Sequence, residues 1–362
     1  MKAQVYLIIF FSIIIQIKIN IYYTGLKMDE IEVRELAPSE YKEWDLLVEK
    51  AQPGTLFHNS QWLEICRDVL SRELRIYGCF RSGELIGGCP IFVKNIKGVL
   101  EVGSSTCNMT DYCGPLIKEG ASSKASKRVQ ETHEILNPLR EFLCRQGFDS
   151  IHLVFSPGLG DIRPFTWNGW DSKVHYTHHL NLKENVDNNV SRKIRRELKS
   201  ADEAGLKTRV WNDLETYYGL LSKVYEKQNM ELPVPKEFFE RVFNLIREKD
   251  IGYMFVSETS EGEAVAAHLN LYGKKCTVTW SSALNPSFSR MGSNALLYYS
   301  EFLDLKSRNF EYMNVMAGNV PRFADFIIGF SPELVPYYSV TLESKKYSIM
   351  KTLYKSTHQD TD

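Results

Sequence analysis

The sequence predicts an α/β protein of two similar domains, and three observations carry that reading. The chain of 362 residues is too long for one ordinary core and suits two of about 150 residues each. Strand-patterned and helix-patterned segments alternate along it. The order of segments in the first half also recurs in the second. YMFVSETSEGEAVAAHLNLYG echoes YGCFRSGELIGGCPIFVK, with Gly262-Glu263 standing where Gly83-Glu84 stood. ALLYYSEFLDLKSRNFEYMNVM echoes ILNPLREFLCRQGFDSIHLVF, each a helix containing Glu-Phe-Leu, a turn and an apolar strand.

Residues 1–27 are an apolar leader. Val5 to Ile17 is almost unbroken Ile, Leu and Phe, but Gln16, Lys18 and Asn20 interrupt it short of the roughly 20 residues that span a bilayer. No small-residue cleavage site follows. Because Met28 opens a well-patterned segment, the leader reads as a misassigned start or a dispensable piece, with membrane association left open. Ile31 to Leu36 reads as a strand, and Pro38 and Ser39 suit the first turn of a helix. Asn59 or Ser60 offers an N-cap for NSQWLEICRDVL, which sets Trp62, Ile65, Cys66 and Val69 on one side. RIYGCFRSGELIGGCPIFVK is a hairpin turned at Ser82-Gly83. A strand through VLEVGSS, a Gly-Pro break in TDYCGPLI, a helix around His133 to Gln146 and the strand SIHLVF follow, within a first unit over residues 28–186. Residues 187–205 form a linker helix capped by Asp187 or Asn188 and closed at Gly205. The second unit covers residues 206–345, and 346–362 is a polar tail.

Hydrophobic residues at 43% and charged residues at 25% fit a folded soluble protein and exclude a disordered or collagen-like chain. A formal net charge of −1 argues against binding a polyanion by bulk charge, so a phosphate contact has to be local. The linker helix supplies one such patch. Its Val190, Ile194, Leu198 and Ala201 recur at helical spacing, which gathers Arg192, Lys193, Arg195, Arg196 and Lys199 elsewhere on its surface. That face is either simply solvated or turned to an anionic partner. The seven cysteines, odd in number and without a CxxC pair, read as buried free thiols of a reducing, cytoplasmic compartment. His175, His178 and His179 cluster on one strand with no Cys or carboxylate group beside them, so no metal site is expected.

In CTVTWSSALNPSFSRMGSNALLYYSEFL a strand and a turn containing Gly292 precede a helix that begins near Ser293 or Asn294. Backbone amides at such a start are unpaired and sit at the positive end of the helix dipole, so they can hold an anion. Asp111, within TDYCGPLI, is a carboxylate available to a ligand, with Tyr112 beside it, or more plainly a turn aspartate before Gly114-Pro115. Trp280, Asn294 and Asn319 are candidate site residues, or else packing and capping residues.

Ser289-Arg290-Met291-Gly292-Ser293-Asn294 stands where acetyltransferases of the GNAT class carry their coenzyme A loop [QR]-x-x-G-x-[GA], and shares its central glycine. From about Thr55 to Val340 the chain resembles the Fem-type (FemABX) transferases and their BioF2-like acetyltransferase relatives. The segments that carry this are GELIGGCPIFVK, DYCGPLI, NVSRKIRRELKSADEAG, LPVPKEFFERV, WSSALNPSFSRMGSNALLYYSEFL and MAGNVPRFADFIIGFSPELVPYY. The resemblance implies tandem GNAT-like domains, each a mixed twisted sheet flanked by helices. It also implies an N-acyltransferase that moves an aminoacyl or acyl group onto an amine, in the best-known members a peptidoglycan precursor. The donor would be a charged tRNA or an acyl-coenzyme A, with no cofactor held permanently. Such a reaction needs a group to take the amine's proton, since an alkylamine with a pKa of about 10.4 is mostly protonated at neutral pH. Asp111 is the candidate for that role and for contacting the acceptor, Tyr112 for lining the same pocket, and Trp280, Asn294 and Asn319 for framing the donor. Arg192, Lys193, Arg195 and Arg196 match the family's basic helix. Ile327 stands where the family motif Phe-Lys-x-x-Phe-Gly has its lysine, and Arg290 or Arg322 is the nearest replacement cation along the chain. Coenzyme A-dependent acetylation and a catalytically silent binding protein are the alternatives.

Overall fold

Alternating apolar positions draw the strands of both halves into a single mixed sheet. The computed structural model describes residues 30–357 apart from 121, 289 and 317, so the apolar leader lies outside it. The first half supplies β1 (Glu32–Glu35), β2 (Glu73–Arg81), β3 (Glu84–Ile96), β4 (Leu100–Ser104), β5 (Ser150–Val154) and β6 (Asp171–Asn181). The second supplies β7 (Lys207–Val210), β8 (Gly252–Glu258), β9 (Ala264–Tyr272), β10 (Cys276–Leu284), β11 (Tyr312–Asn314) and β12 (Glu333–Glu343). Helices α1 (Tyr41–Lys50), α2 (Ser60–Val69), α3 (Ala125–Cys144) and the short α4 (Arg163–Thr166) belong to the first half. After the linker helix α5 (Arg192–Glu203) come α6 (Leu214–Lys227), α7 (Lys236–Lys249), α8 (Ser293–Ser307), α9 (Pro321–Ile327) and α10 (Lys345–Thr357).

The strand order is β1-β2-β3-β4-β5-β12-β6-β11-β10-β9-β8-β7, a palindrome in which each strand of one half mirrors its counterpart. Two short strands, Ala51–Gln52 and Leu116–Lys118, lie off this path. The β4·β5 and β10·β11 pairs are parallel, at matching places, and the other neighbours on the path are antiparallel. At the centre the halves exchange strands. β12 enters between β5 and β6, with Val340 opposite Leu153 and Tyr337 opposite His175, while β6 enters between β12 and β11 with Leu180 opposite Met313.

One apolar cluster joins the halves on the face covered by α1, α2, α6 and α7: Trp62 of α2 meets Phe238 of α7 edge-on at 6.0 Å and Trp280 of β10 at 5.2 Å. The opposite face is covered separately, by α3 in the first half and α8 in the second. Ser82 and Gly83 turn the β2–β3 hairpin with φ of 50° and 82°, as the sequence predicts.

Several local expectations need correction. The linker helix starts at Arg192, after a separate turn over Val186–Asn189. Its cap is Ser191, whose Oγ accepts from the Ile194 amide at 3.3 Å; the Asp187 and Asn188 side chains are outside the described residues. The tail folds as α10 through Thr357. All seven cysteines are free, but Cys144 is exposed and Cys107 and Cys276 are half-buried. Among the described residues no helix is long and apolar enough to cross a membrane.

Candidate active site

The first-half loop that carries Asp111 is fastened to the second half by side chains. Met109 adopts a φ of 65° and turns its carbonyl to the Trp280 indole, which donates at 2.8 Å. Asn108 donates to the Pro233 carbonyl at 2.7 Å, and the Asn314 amide donates to the Tyr112 oxygen. From within its own half, Trp62 donates to Thr110 Oγ1 at 3.0 Å and the Cys113 thiol to the Phe57 carbonyl at 3.0 Å. Gly114 is required here because a Cβ would lie 2.6 Å from the Val154 carbonyl oxygen. These contacts fix the loop over the point where β10 and β11 part, since their ladder stops at Val278 and Asn314.

Asp111 is exposed, yet enough protein lies around its carboxyl that the loss of solvation pushes it up to about 6. Its charge in turn helps hold the Tyr112 and Tyr337 phenols above their usual range, although burial contributes more at both. The two rings meet edge-on at 5.6 Å, and Tyr337 stacks on His175 at 5.1 Å. Asn319 is exposed; its Oδ1 accepts from the Tyr176 amide at 2.8 Å and its Nδ2 donates to the Tyr337 oxygen at 3.0 Å. Thus Asp111, Tyr112, Asn319 and the buried Trp280 gather at one place, with Trp280 coming from the middle of β10.

The other predicted residues form a second group. Gly292 precedes α8 with a φ of 74°, and a Cβ there would lie 2.0 Å from the Glu197 carbonyl oxygen of α5. Ala201 of α5 and Leu296 of α8 share a small apolar cluster below that contact. The start of α8 therefore lies against the helix on which Arg192, Lys193, Arg195 and Arg196 are exposed, with Arg290 exposed just before it. Asn294 points inward: its Oδ1 lies 2.8 Å from His268 Nε2, whose Nδ1 lies 3.0 Å from Glu301, and Asn270 donates to the same carboxylate at 2.7 Å. His268 and Glu301 are fully buried. Ile327 is buried with Ile194, Tyr298 and Phe330, so the side chain at the family's lysine position faces a core.

The family-model match falls on this half. Residues 188–323 match the family model described as an acetyltransferase (GNAT) domain. Among solved structures, FemX aligns with a TM-score of 0.64 at 12% identity, covering 85% of this chain and 96% of that one. The C-terminal domain of a putative lysylphosphatidylglycerol synthetase from Agrobacterium fabrum gives 0.55 at 13%, covering 88% and 96%. A tandem GNAT protein from the clavulanic acid biosynthesis pathway gives 0.51 at 12%, covering 87% and 98%. The fold is the tandem GNAT arrangement. No curated protein matches the chain. These identities establish shared architecture and leave chemistry to the residues.

Sequence reasoning missed Asn314 and Tyr337. Asn314 is an amide inside an apolar strand, EYMNVM, a placement that costs free energy unless its partners are satisfied and so marks it as purposeful. Tyr337 carried no such signal, because strand exchange brings it to the site.

Proposed function

We propose that the chain is an N-acyltransferase in which the second half holds an acyl donor and the first half delivers Asp111 as the base. The observation that carries this is the fastening of the Asp111 loop, by Trp280 and Asn314, over the gap between β10 and β11. The attacking amine would lie at Asp111 and surrender its proton as the carbon–nitrogen bond forms. The carboxylate form is the working form, and an acid poised near 6 is largely ionised at neutral pH yet basic enough to accept a proton. The donor's phosphates would lie at the α8 start beside the cations of α5, where unpaired amides and side-chain charge act together. This arrangement favours acyl-coenzyme A, whose carbon–sulfur bond breaks with release of the thiol. A lysine is not called for at position 327, where the side chain is buried in an apolar cluster.

The test is transfer by the purified full chain from acyl-coenzyme A, and separately from charged tRNA, to a panel of amines. Transfer from coenzyme A should rise with pH through about 6, and Asp111→Asn should lower it by roughly a hundredfold or more. Transfer from charged tRNA alone would move the donor to the Fem-type reading. Transfer from neither, with a tightly bound ligand, would establish a silent binding protein.

A further inference from the structure

A cavity of about 380 Å³ lies at the seam of the two halves, and Asp111 is not among the residues that line it. One wall is the first-half segment through Leu56 and Phe57; the other is second-half Leu271 and Val278. Tyr112 and Asn314 reach it from the Asp111 side. Its size suits a compact organic molecule.

The polar groups are few, and their hydrogen-bond partners determine what they offer. Asn314 is 4% exposed. Its Oδ1 accepts from Thr177 Oγ1 at 2.6 Å and from the Met316 amide at 2.9 Å, which leaves Nδ2 to face Tyr112. Tyr112 is 1% exposed, and with its oxygen accepting from Asn314 its own proton has no acceptor among the described residues. His179 lines the same cavity, stacked on Tyr312 at 4.5 Å, and its Nε2 is buried without a partner. At the mouth, in the turn between β9 and β10, stand Lys274 and Lys275. Lys275 is shared with Glu311 at 3.4 Å, and Lys274 makes no ion pair among the described residues. Glu119 is the acid among the lining residues. The balance is an apolar slot with two lysines at its rim and a buried phenol offering a proton.

We infer that this cavity receives the body of the acceptor and that the acceptor is an amine bearing its own acidic group, a carboxylate or a phosphate. The acidic group lies at Lys274 and Lys275, the apolar body between Phe57 and Val278, and a polar atom takes the Tyr112 proton. Asp111 adjoins Tyr112 in the chain, so a molecule seated here can present its amine to that carboxylate. The inference rests on the N-acyltransfer reading for its meaning but is testable apart from it.

Calorimetric titration of the full chain without acyl donor should compare three probes of similar size: 3-phenylpropanoate, 3-phenylpropyl phosphate and 2-phenylethylamine. The anions should bind and the amine should not, and the tighter anion identifies the acidic group. Lys274→Met with Lys275→Met, both exposed positions that leave the fold intact, should weaken anion binding roughly tenfold. Tyr112→Phe should weaken it by about fivefold. An amine that binds as tightly as the anions, or a lysine double variant that binds like the unsubstituted chain, overturns the site. Transfer to plain alkylamines as efficient as to acid-bearing amines sinks the acceptor class and leaves N-acyltransfer standing. Anion binding without transfer from any acyl donor does the reverse.

Discussion

The helices α3 and α8 open at matching places in the two halves, and the charges around them are arranged differently: cations mixed with carboxylates at α3, cations gathered on a neighbouring helix at α8. Near the start of α3 a cavity of about 520 Å³ is bordered by Glu119, Glu131 and Asp161. Cations stand there too: Lys118 pairs with Glu84, Arg128 donates to the Ser123 carbonyl at 2.6 Å, Lys124 and Lys127 flank the helix start, and Asp161 is held by Arg163 and His133. The start of α8 instead lies against α5, with its exposed row of arginines and a lysine. Both are helix starts with unpaired amides, so the contrast lies in the neighbours: carboxylates share the space at α3, while at α8 the packed helix α5 offers a row of cations. The GNAT match covers the linker and second half, on the same side as that charge.

Three sets of substitutions would break or sharpen this contrast. The largest effect is expected at the end of α9, whose Ile327 is buried in one cluster with Ile194 of α5. Ile327→Lys would place an ammonium among Ile194, Tyr298 and Phe330 and should cost roughly 3 kcal/mol or more in urea denaturation, whereas Ile328→Lys, at a side chain 58% exposed, should cost little. A gain of transfer activity in Ile327→Lys would instead show that the position serves the donor. Next are two glycines with the same space around them. A Cβ at Gly292 or Gly120 would lie 2.0 Å from an oxygen, but at Gly292 it is the Glu197 backbone with φ at 74°, and at Gly120 the end of the Glu131 side chain. Gly292→Ala should therefore lose about 2–3 kcal/mol and Gly120→Ala no more than about 0.5 kcal/mol. Equal losses would mean that α5 yields where it meets α8. Smallest in stability is the triple change of Arg192, Arg195 and Arg196 to Gln, within about 0.5 kcal/mol by thermal denaturation. It should still weaken coenzyme A binding by about tenfold at low salt and flatten its salt dependence. Unchanged binding would return that row to a solvated face.

Much of the architecture was legible because it is written locally. The Ser82-Gly83 turn, the Asn59 cap, whose Oδ1 accepts from Gln61 at 3.0 Å, and the α8 start are set by residues within one turn of each other. The repeated Glu-Phe-Leu helices α3 and α8 reveal the duplication for the same reason. The candidate site was legible only in part. Asp111 and Tyr112 stand out beside Gly114-Pro115, but their partners Asn314 and Tyr337 arrive from roughly two hundred residues away. Local patterns specify faces and turns and do not specify which strand of the other half lies alongside. The cap of α5 was misplaced because Asp187, Asn188 and Ser191 are all good capping residues, and the choice is made by Gly329, whose carbonyl accepts the Ser191 amide at 2.8 Å.

The exchange of β6 and β12 has a consequence for how the chain is born. While the ribosome has yet to deliver residues 333–343, β5 has no neighbour on its inner side and β6 lacks one of its two. The first half therefore waits with open strand edges, in the condition that invites mispairing with other chains. Closure joins Ser150–Val154 to Ser339–Glu343, a contact between distant parts of the sequence, and such contacts make folding slow. Synthesis order thus makes the last strand the gate through which both halves become native together.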